Sequence, residues 1–300
     1  MKKAHLFASI IILILFANLS LAANLNVKKT DKGSVIVKQL NNPAIFDFDI
    51  TNLGSDDLFE IYTLVSVTML PKEKFELPKG ESTIEISAVP NQDFREREPG
   101  LINFEYEIQG ENSGIFKDKL LVKMIDLKDL FSFEIDPIST TSTQTKVRIK
   151  NTQKAHIPEV SIKFDSIFFN AQETLAFEPL EEKEITISLN NPPADNLKAG
   201  KYIVTITIPH TTEGETTYSE YISYLEKEAI STNQDSSGFI IRKTKSSKIN
   251  TGNVDAPVEI EITKGIIGRF FTTNSPEPTK TERDGFSVTY TWEKDLAPTE

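Results

Sequence analysis

Phe46-Asp47-Phe48-Asp49-Ile50-Thr51-Asn52 alternates apolar and polar side chains and ends on an asparagine. Alternation with a period of two marks a strand that buries one face. The same ending recurs as Ile149-Lys150-Asn151 and, with isoleucine one place nearer, as Ile249-Asn250, so Asn52, Asn151 and Asn250 stand 99 residues apart. A period of about a hundred residues is longer than those of solenoids and matches the length of a β-sandwich domain. The chain therefore reads as tandem β modules.

Two further matches carry the same offset. Gly100 leads into Leu101 to Ile108 and Gly200 into Lys201 to Ile208. Every second residue after each glycine is apolar: Ile102, Phe104, Tyr106 and Ile108 in one copy, Tyr202, Val204, Ile206 and Ile208 in the other. Glycine gives the backbone freedom that the turn into such a strand requires. A charged turn followed by a short alternating strand appears at Leu77 to Ile86 and again at Pro179 to Ile187, offset by 101 residues.

Strands are expected at residues 34–38, 44–51, 58–66, 82–88, 101–109 and 116–123, and then at 145–150, 160–164, 185–189, 202–209 and 218–225. Turn signals such as Asn41-Asn42-Pro43 and Gly54-Ser55-Asp56 separate them. That rhythm, with no long segment of helical period after the N-terminus, is that of an antiparallel sandwich. Glu220 to Ala229 holds good helix formers and is open to a helical reading; a closing edge strand is preferred. The expected organisation is a signal peptide at 1–22, sandwiches at 23–126 and 127–228, a polar linker at 229–238, and a third sandwich at 239–300. The third copy is interrupted between Gly265 and Gly285, and Leu296 to Glu300 resembles the turn before the Ile84 and Ile185 strands. It is expected to lack closing strands, which a continuation of the chain, another chain, or the insertion itself would supply.

Lys2 and Lys3, the apolar run Leu6 to Phe16 and the small residues of Ser20-Leu21-Ala22 have the pattern of an export signal cleaved after Ala22. An uncleaved anchor is the alternative, since Leu6 to Ala22 sits near the lower limit for a spanning helix. Loss of the two lysines takes the formal charge from −11 to −13. Such an acidic surface disfavours nucleic acid and anionic lipid as partners. The chain has no cysteine, so apolar packing alone must hold the sheets together, and thiol chemistry is excluded.

The inventory for catalysis is short. His156 and His210 fall in separate loops without metal-ligand spacing, and Asp56-Asp57, Glu96, Glu98 and Glu181-Glu182 read as solvated turns. No nucleophile elbow, phosphate-cradling loop or dinucleotide fingerprint occurs. Tyr218, Tyr221 and Tyr224 are candidate ligand-contacting rings, with sandwich packing as the simpler account. Asn52, Asn151 and Asn250, with Gly100 and Gly200, are assigned as structural turn residues, because an asparagine side chain can bond backbone two residues on.

The signal peptide, the Asn-x-Gly endings Asn52-Leu53-Gly54 and Asn250-Thr251-Gly252, the charged turn and the glycine-initiated late strand together resemble CARDB-type immunoglobulin-like modules of archaeal and bacterial surface proteins. The second copy departs from that pattern with Gln153 in place of glycine. The resemblance implies sandwiches that space, anchor or adhere at a cell surface, with no catalytic residues and no cofactor. The expectation is a non-enzymatic secreted or cell-surface scaffold with protein or envelope glycan as partner, and membrane contact only through an uncleaved signal or an anchor beyond residue 300. The alternative is the accessory region of a larger secreted enzyme.

Overall fold

The computed structural model describes residues 23–190, 197–211, 213–238 and 243–300. The signal segment, residues 1–22, lies outside them. The architecture is all-β and immunoglobulin-like, built of successive antiparallel sandwiches.

The first sandwich has nine strands: β1 (Leu25–Gly33), β2 (Val35–Val37), β3 (Ala44–Asn52), β4 (Asp57–Thr63), β5 (Val67–Leu70), β6 (Phe75–Leu77), β7 (Gly80–Pro90), β8 (Gly100–Gly110) and β9 (Gly114–Ile125). One sheet has the order β1-β3-β7-β5 and the other β2-β9-β8-β4-β6. β2 runs parallel to β9, and the other pairs are antiparallel. The strict alternation of β3 sends Ala44, Phe46, Phe48 and Ile50 inward, where Phe48 meets Tyr106 of the facing sheet at 5.2 Å between ring centroids. Each fully buried aromatic of this kind contributes about 2–3 kcal/mol by leaving water. A short helix α1 (Gln92–Arg95), capped by Asn91, drops the buried Phe94 onto Phe104 at 6.0 Å between centroids.

The second sandwich follows a 3₁₀ turn at Leu127–Asp129. Its strands are β10 (Phe131–Ile135), β11 (Gln144–Asn151), β12 (Ile157–Asp165), β13 (Asn170–Phe177), β14 (Glu182–Ser188), β15 (Gly200–Pro209) and β16 (Glu215–Tyr224). They form sheets β10-β11-β14 and β13-β12-β15-β16. The segment open to a helical reading is strand as far as Tyr224. Charges on the outer faces are matched within their own sheets: Lys32 with Asp47, and Arg148 with Glu134 and Asp136.

The two sandwiches are not separate beads. One apolar cluster runs from Val35, Val37, Leu40 and Ile125 through Leu127 and Leu130 into Phe131, Ile157 and Phe177. Polar contacts fix the same junction. Val35 N–H donates to Lys154 O at 3.1 Å, Thr211 N–H to Gln39 O at 3.1 Å, and Leu127 N–H to Gln39 Oε1 at 2.8 Å. Gly33 sits so close to His156 that an added Cβ would lie 3.3 Å from its backbone.

The third unit corrects the linker expected at 229–238. Ile230–Ser237 is β17, paired residue by residue with β18 (Lys243–Asn250). Every residue of β17 is exposed, which is why its composition reads as a loop. β19 (Ala256–Gly265), β20 (Lys280–Asp284) and β21 (Ser287–Leu296) form a second sheet in the order β19-β21-β20. The insertion contributes α2 (Ile266–Arg269) and β20, which extends the sheet beyond β21 and does not pair with β18. The shift of isoleucine toward Asn250 has a structural consequence. Ile50 and Ile149 are buried, whereas Ile249 is 47% exposed, because a one-residue slip moves a strand side chain to the opposite face.

Candidate interaction surface

Each module carries the same side-chain clamp at the end of its second long strand. Asn52 donates to Ser55 O and Leu77 O, Asn151 to Ala155 O and Glu178 O, and Asn250 to Val254 O and Leu296 O, all at 2.7–3.0 Å. In each case the side-chain oxygen accepts the N–H two residues on, from Gly54, Gln153 and Gly252. All three asparagines are buried, and both functions of the amide are used. The clamp joins the strand end, the turn after it and the turn before the next strand of the same sheet. A further bond repeats beside it: Thr152 N–H donates to Leu130 O and Thr251 N–H to Ala229 O. Gly100 and Gly200 start β8 and β15 with φ of +151° and +156°, a region that side chains rarely enter.

In the first two modules the clamp holds the start of a strand that pairs with the clamped one, β7 with β3 and β14 with β11. In the third it holds Leu296 to Glu300. There Thr299 N–H donates to Asn250 O and Asn250 N–H to Glu300 O, continuing the side of β18 that faces away from β17. Among the described residues, no strand lies along the rest of that edge. Behind it, Val258, Ile260 and Ile262 of β19 and Trp292 of β21 are only half-buried. No apolar cluster forms in this unit among the described residues, in contrast to the two sandwiches.

The end of the unit opposite the clamp is also apolar. Ile267, Phe270 and Phe271, on and just after α2, and Phe286, in the turn between β20 and β21, are 76–87% exposed. Gly265 pairs with Ser287, which sets the two loops side by side.

The three tyrosines do not form one platform. Tyr218 and Tyr224 face inward from β16: Tyr218 packs on Phe133 at 5.0 Å and donates to Leu127 O, and Tyr224 lies against Phe168 at 5.5 Å. Burial pushes the Tyr218 phenol up. Tyr221 points the other way and is exposed. Alternation along a strand separates them.

The histidines and carboxylates are engaged in local structure. His156 contacts Glu178 at 3.2 Å and His210 contacts Thr216 at 2.9 Å. Asp57 accepts from Ser113 Oγ, from the backbone of Leu58, Asn112 and Ser113, and from the Asn112 side chain, which holds its carboxyl far below the usual range. The solvated turn expected at Asp56-Asp57 is thus corrected for Asp57, which is buried because the fold brings it to the β8–β9 turn. Glu107 lies between Lys117 and Tyr62, at 2.5 and 2.7 Å; its carboxyl is lowered by Lys117 first, and its hydrogen bond pushes the Tyr62 phenol up to about 12. Among the described residues no three metal-ligating side chains converge. A hollow of about 160 Å³ beside Phe133 and Arg148 is smaller than small-molecule sites, which run to roughly 300–1,000 Å³, and a second of about 450 Å³ is lined by Ala297 and the charged Lys198, Asp255, Asp295 and Glu300.

No family model matches the chain, and no curated protein matches it. Solved structures similar to it include a protein of unknown function from Porphyromonas gingivalis W83, 14% identical, covering 67% of this chain and 98% of that one with a TM-score of 0.26. The periplasmic chaperone SfaE is 8% identical over 67% of this chain and 100% of its own, with a TM-score of 0.26. Red sea bream transglutaminase is 9% identical over 69% of this chain and 32% of its own, with a TM-score of 0.27. At such scores these likenesses carry no functional argument.

Proposed function

We propose that this chain is a non-enzymatic scaffold of CARDB-like type, exported from the cell, in which two fused sandwiches form a rigid support and the third unit engages a protein partner. The observation that carries the reading is the junction of the first two modules. Its apolar core is continuous and its backbone hydrogen bonds cross from one module to the next. A flexible tether would cost ordering entropy at each encounter, whereas a junction of this kind fixes spacing in advance. The same devices recur toward the third unit, where Asn253 bonds Lys227 and Leu225, its carbonyl accepts from Ala199 N–H, and Lys198 pairs with Asp255 at 2.9 Å.

The absence of cysteine makes the test direct. Spin labels at Leu64→Cys and Thr217→Cys, both on exposed positions of different modules, should give one narrow distance distribution. A broad distribution would remove the support role. Export is tested separately by N-terminal sequencing of the product from the culture medium or cell surface, where Ala23 is the expected first residue. A product found only inside the cell with Met1 retained would contradict it.

A further inference from the structure

We propose that the end of the third unit away from the second sandwich is a lipid-contacting tip that inserts Ile267, Phe270, Phe271 and Phe286 into the interface of an anionic bilayer. These four side chains project from two adjacent loops and are among the most exposed large apolar groups of the chain. Elsewhere such residues stand alone, as with Leu64, or as less exposed pairs across a strand, as with Ile203 and Tyr221 at 58–59%. A cluster of exposed large apolar side chains at one end of a module marks a contact surface.

Charge selects the partner. Lys264, Arg269 and Arg283 flank the apolar group, and among the described residues none of the three has an ion pair or side-chain hydrogen bond. On the neighbouring hairpin Glu282 is neutralised by Lys280 at 2.6 Å, which leaves Asp284 as the opposing charge there. The tip is thus locally cationic on a chain of formal charge −11. Aromatic and aliphatic side chains ringed by unpaired cations fit the boundary between anionic headgroups and acyl chains.

The acidic remainder of the chain does not oppose this. β19 is 10 residues long and starts beside the contacts to the second sandwich, so the tip stands about 30 Å from that junction. Screening at physiological salt acts over about 8 Å, so charges on the sandwiches contribute little at the tip. The repulsion expected from net charge applies to a broadside approach and not to an end-on one. β20 and β21, joined by a turn at Gly285, with φ of +56°, hold Phe286 on a paired hairpin. The apolar group is therefore presented by structured elements.

The experiment is co-sedimentation of the full chain with vesicles of phosphatidylcholine alone and of phosphatidylcholine with phosphatidylglycerol at about 3:1. Binding to the anionic vesicles should exceed binding to neutral ones by about tenfold and fall as salt is raised. The triple variant Phe270→Ser, Phe271→Ser, Phe286→Ser should abolish it, and K264E with R269E should reduce it to the neutral-vesicle level. Because the three phenylalanines and Arg269 are exposed, and Lys264 is half-buried at the end of β19, circular dichroism and the thermal transition of each variant should match the parent, which separates lost contact from lost fold. No binding to anionic vesicles, or equal binding by the serine variant, overturns the proposal. So does a concentration-dependent dimer in lipid-free solution that the serine variant lacks, since the tip would then be covered by a second copy. Rigidity of the first two modules is measured independently, so failure here leaves the scaffold reading intact.

Discussion

Replacing Asn151 by alanine tests whether the repeated amide clamp holds the modules in shape. The side chain is fully buried and makes three hydrogen bonds, to Ala155 O at 2.7 Å, to Glu178 O at 2.9 Å and from Gln153 N–H at 3.1 Å. Each is worth about 1 kcal/mol net, and the Ala155 carbonyl left without that donor adds about 1–2 kcal/mol, whereas Glu178 O keeps the Glu181 N–H, for a loss of about 4–5 kcal/mol. The first two sandwiches share a core, so the relevant unit has about 200 residues and responds by roughly 2–4 °C for each kcal/mol. Differential scanning calorimetry of Asn151→Ala should show Tm lowered by about 10 °C or more. Asn250→Ala removes the same three bonds from a unit without a core cluster, so the main transition should stay within about 1 °C of the parent. Asn151→Asp keeps the bond from Gln153 but turns a carboxylate oxygen toward two carbonyls. Its folded pKa is then raised above the unfolded value of about 3.9, so the penalty grows as pH rises through the interval between them and is complete above the folded value. Asn151→Ala shifting Tm by less than about 2 °C, or Asn151→Asp with no pH dependence beyond that of the parent, would refute the reasoning.

Other outcomes follow from the same geometry. Asp57 is depressed by its bonds to Ser113 and Asn112, so its contribution is present above the unfolded value of about 4 and is lost as pH falls below it; Asp57→Asn should flatten the acid limb of a Tm-against-pH curve. Val37→Asp places an unpaired charge at a fully buried position in the shared core and should split one calorimetric transition of the first two modules into two; a single transition of unchanged width would contradict a common core. Tyr218→Phe should cost about 1 kcal/mol through the lost bond to Leu127 O, while Tyr221→Ala should stay within about 0.5 kcal/mol by urea denaturation.

The fold class was legible because β3, β8 and β15 alternate cleanly and sit at matching offsets. Other strands were hidden for physical reasons. β1 has charged residues at inward positions, and Lys29 is tolerated there because it pairs with Asp118 at 2.6 Å and lies over the Tyr106 ring at 5.6 Å. β13 is an edge strand whose inward residues are mostly only half-buried. β17 has no buried residue, and its pairing with β18 is carried by backbone bonds with one side-chain contact, Ser236 to Thr244 at 3.3 Å, which no side-chain periodicity records. The asparagines were marked by recurrence, but their partners lie up to 46 residues away and emerge only when the chain folds. The same holds for the tyrosines: Tyr218, Tyr221 and Tyr224 look like a cluster in sequence, and parity along β16 divides it. The apolar tip was not legible, since Phe270-Phe271 meets Phe286 only through the register of β19 with β21.

The parallel pairing of β2 with β9 has a mechanical consequence. These strands lie near the entry and exit of the first sandwich and run in the same direction, with Val35 opposite Lys123 and Val37 opposite Ile125. Tension applied at the two ends of that sandwich loads their hydrogen bonds in shear, so the bonds must yield together and cannot peel one at a time. The second sandwich has one parallel bridge in the corresponding place, Ile138 with Tyr224. Under load the second sandwich should give way first, and the first should remain folded at the greater force.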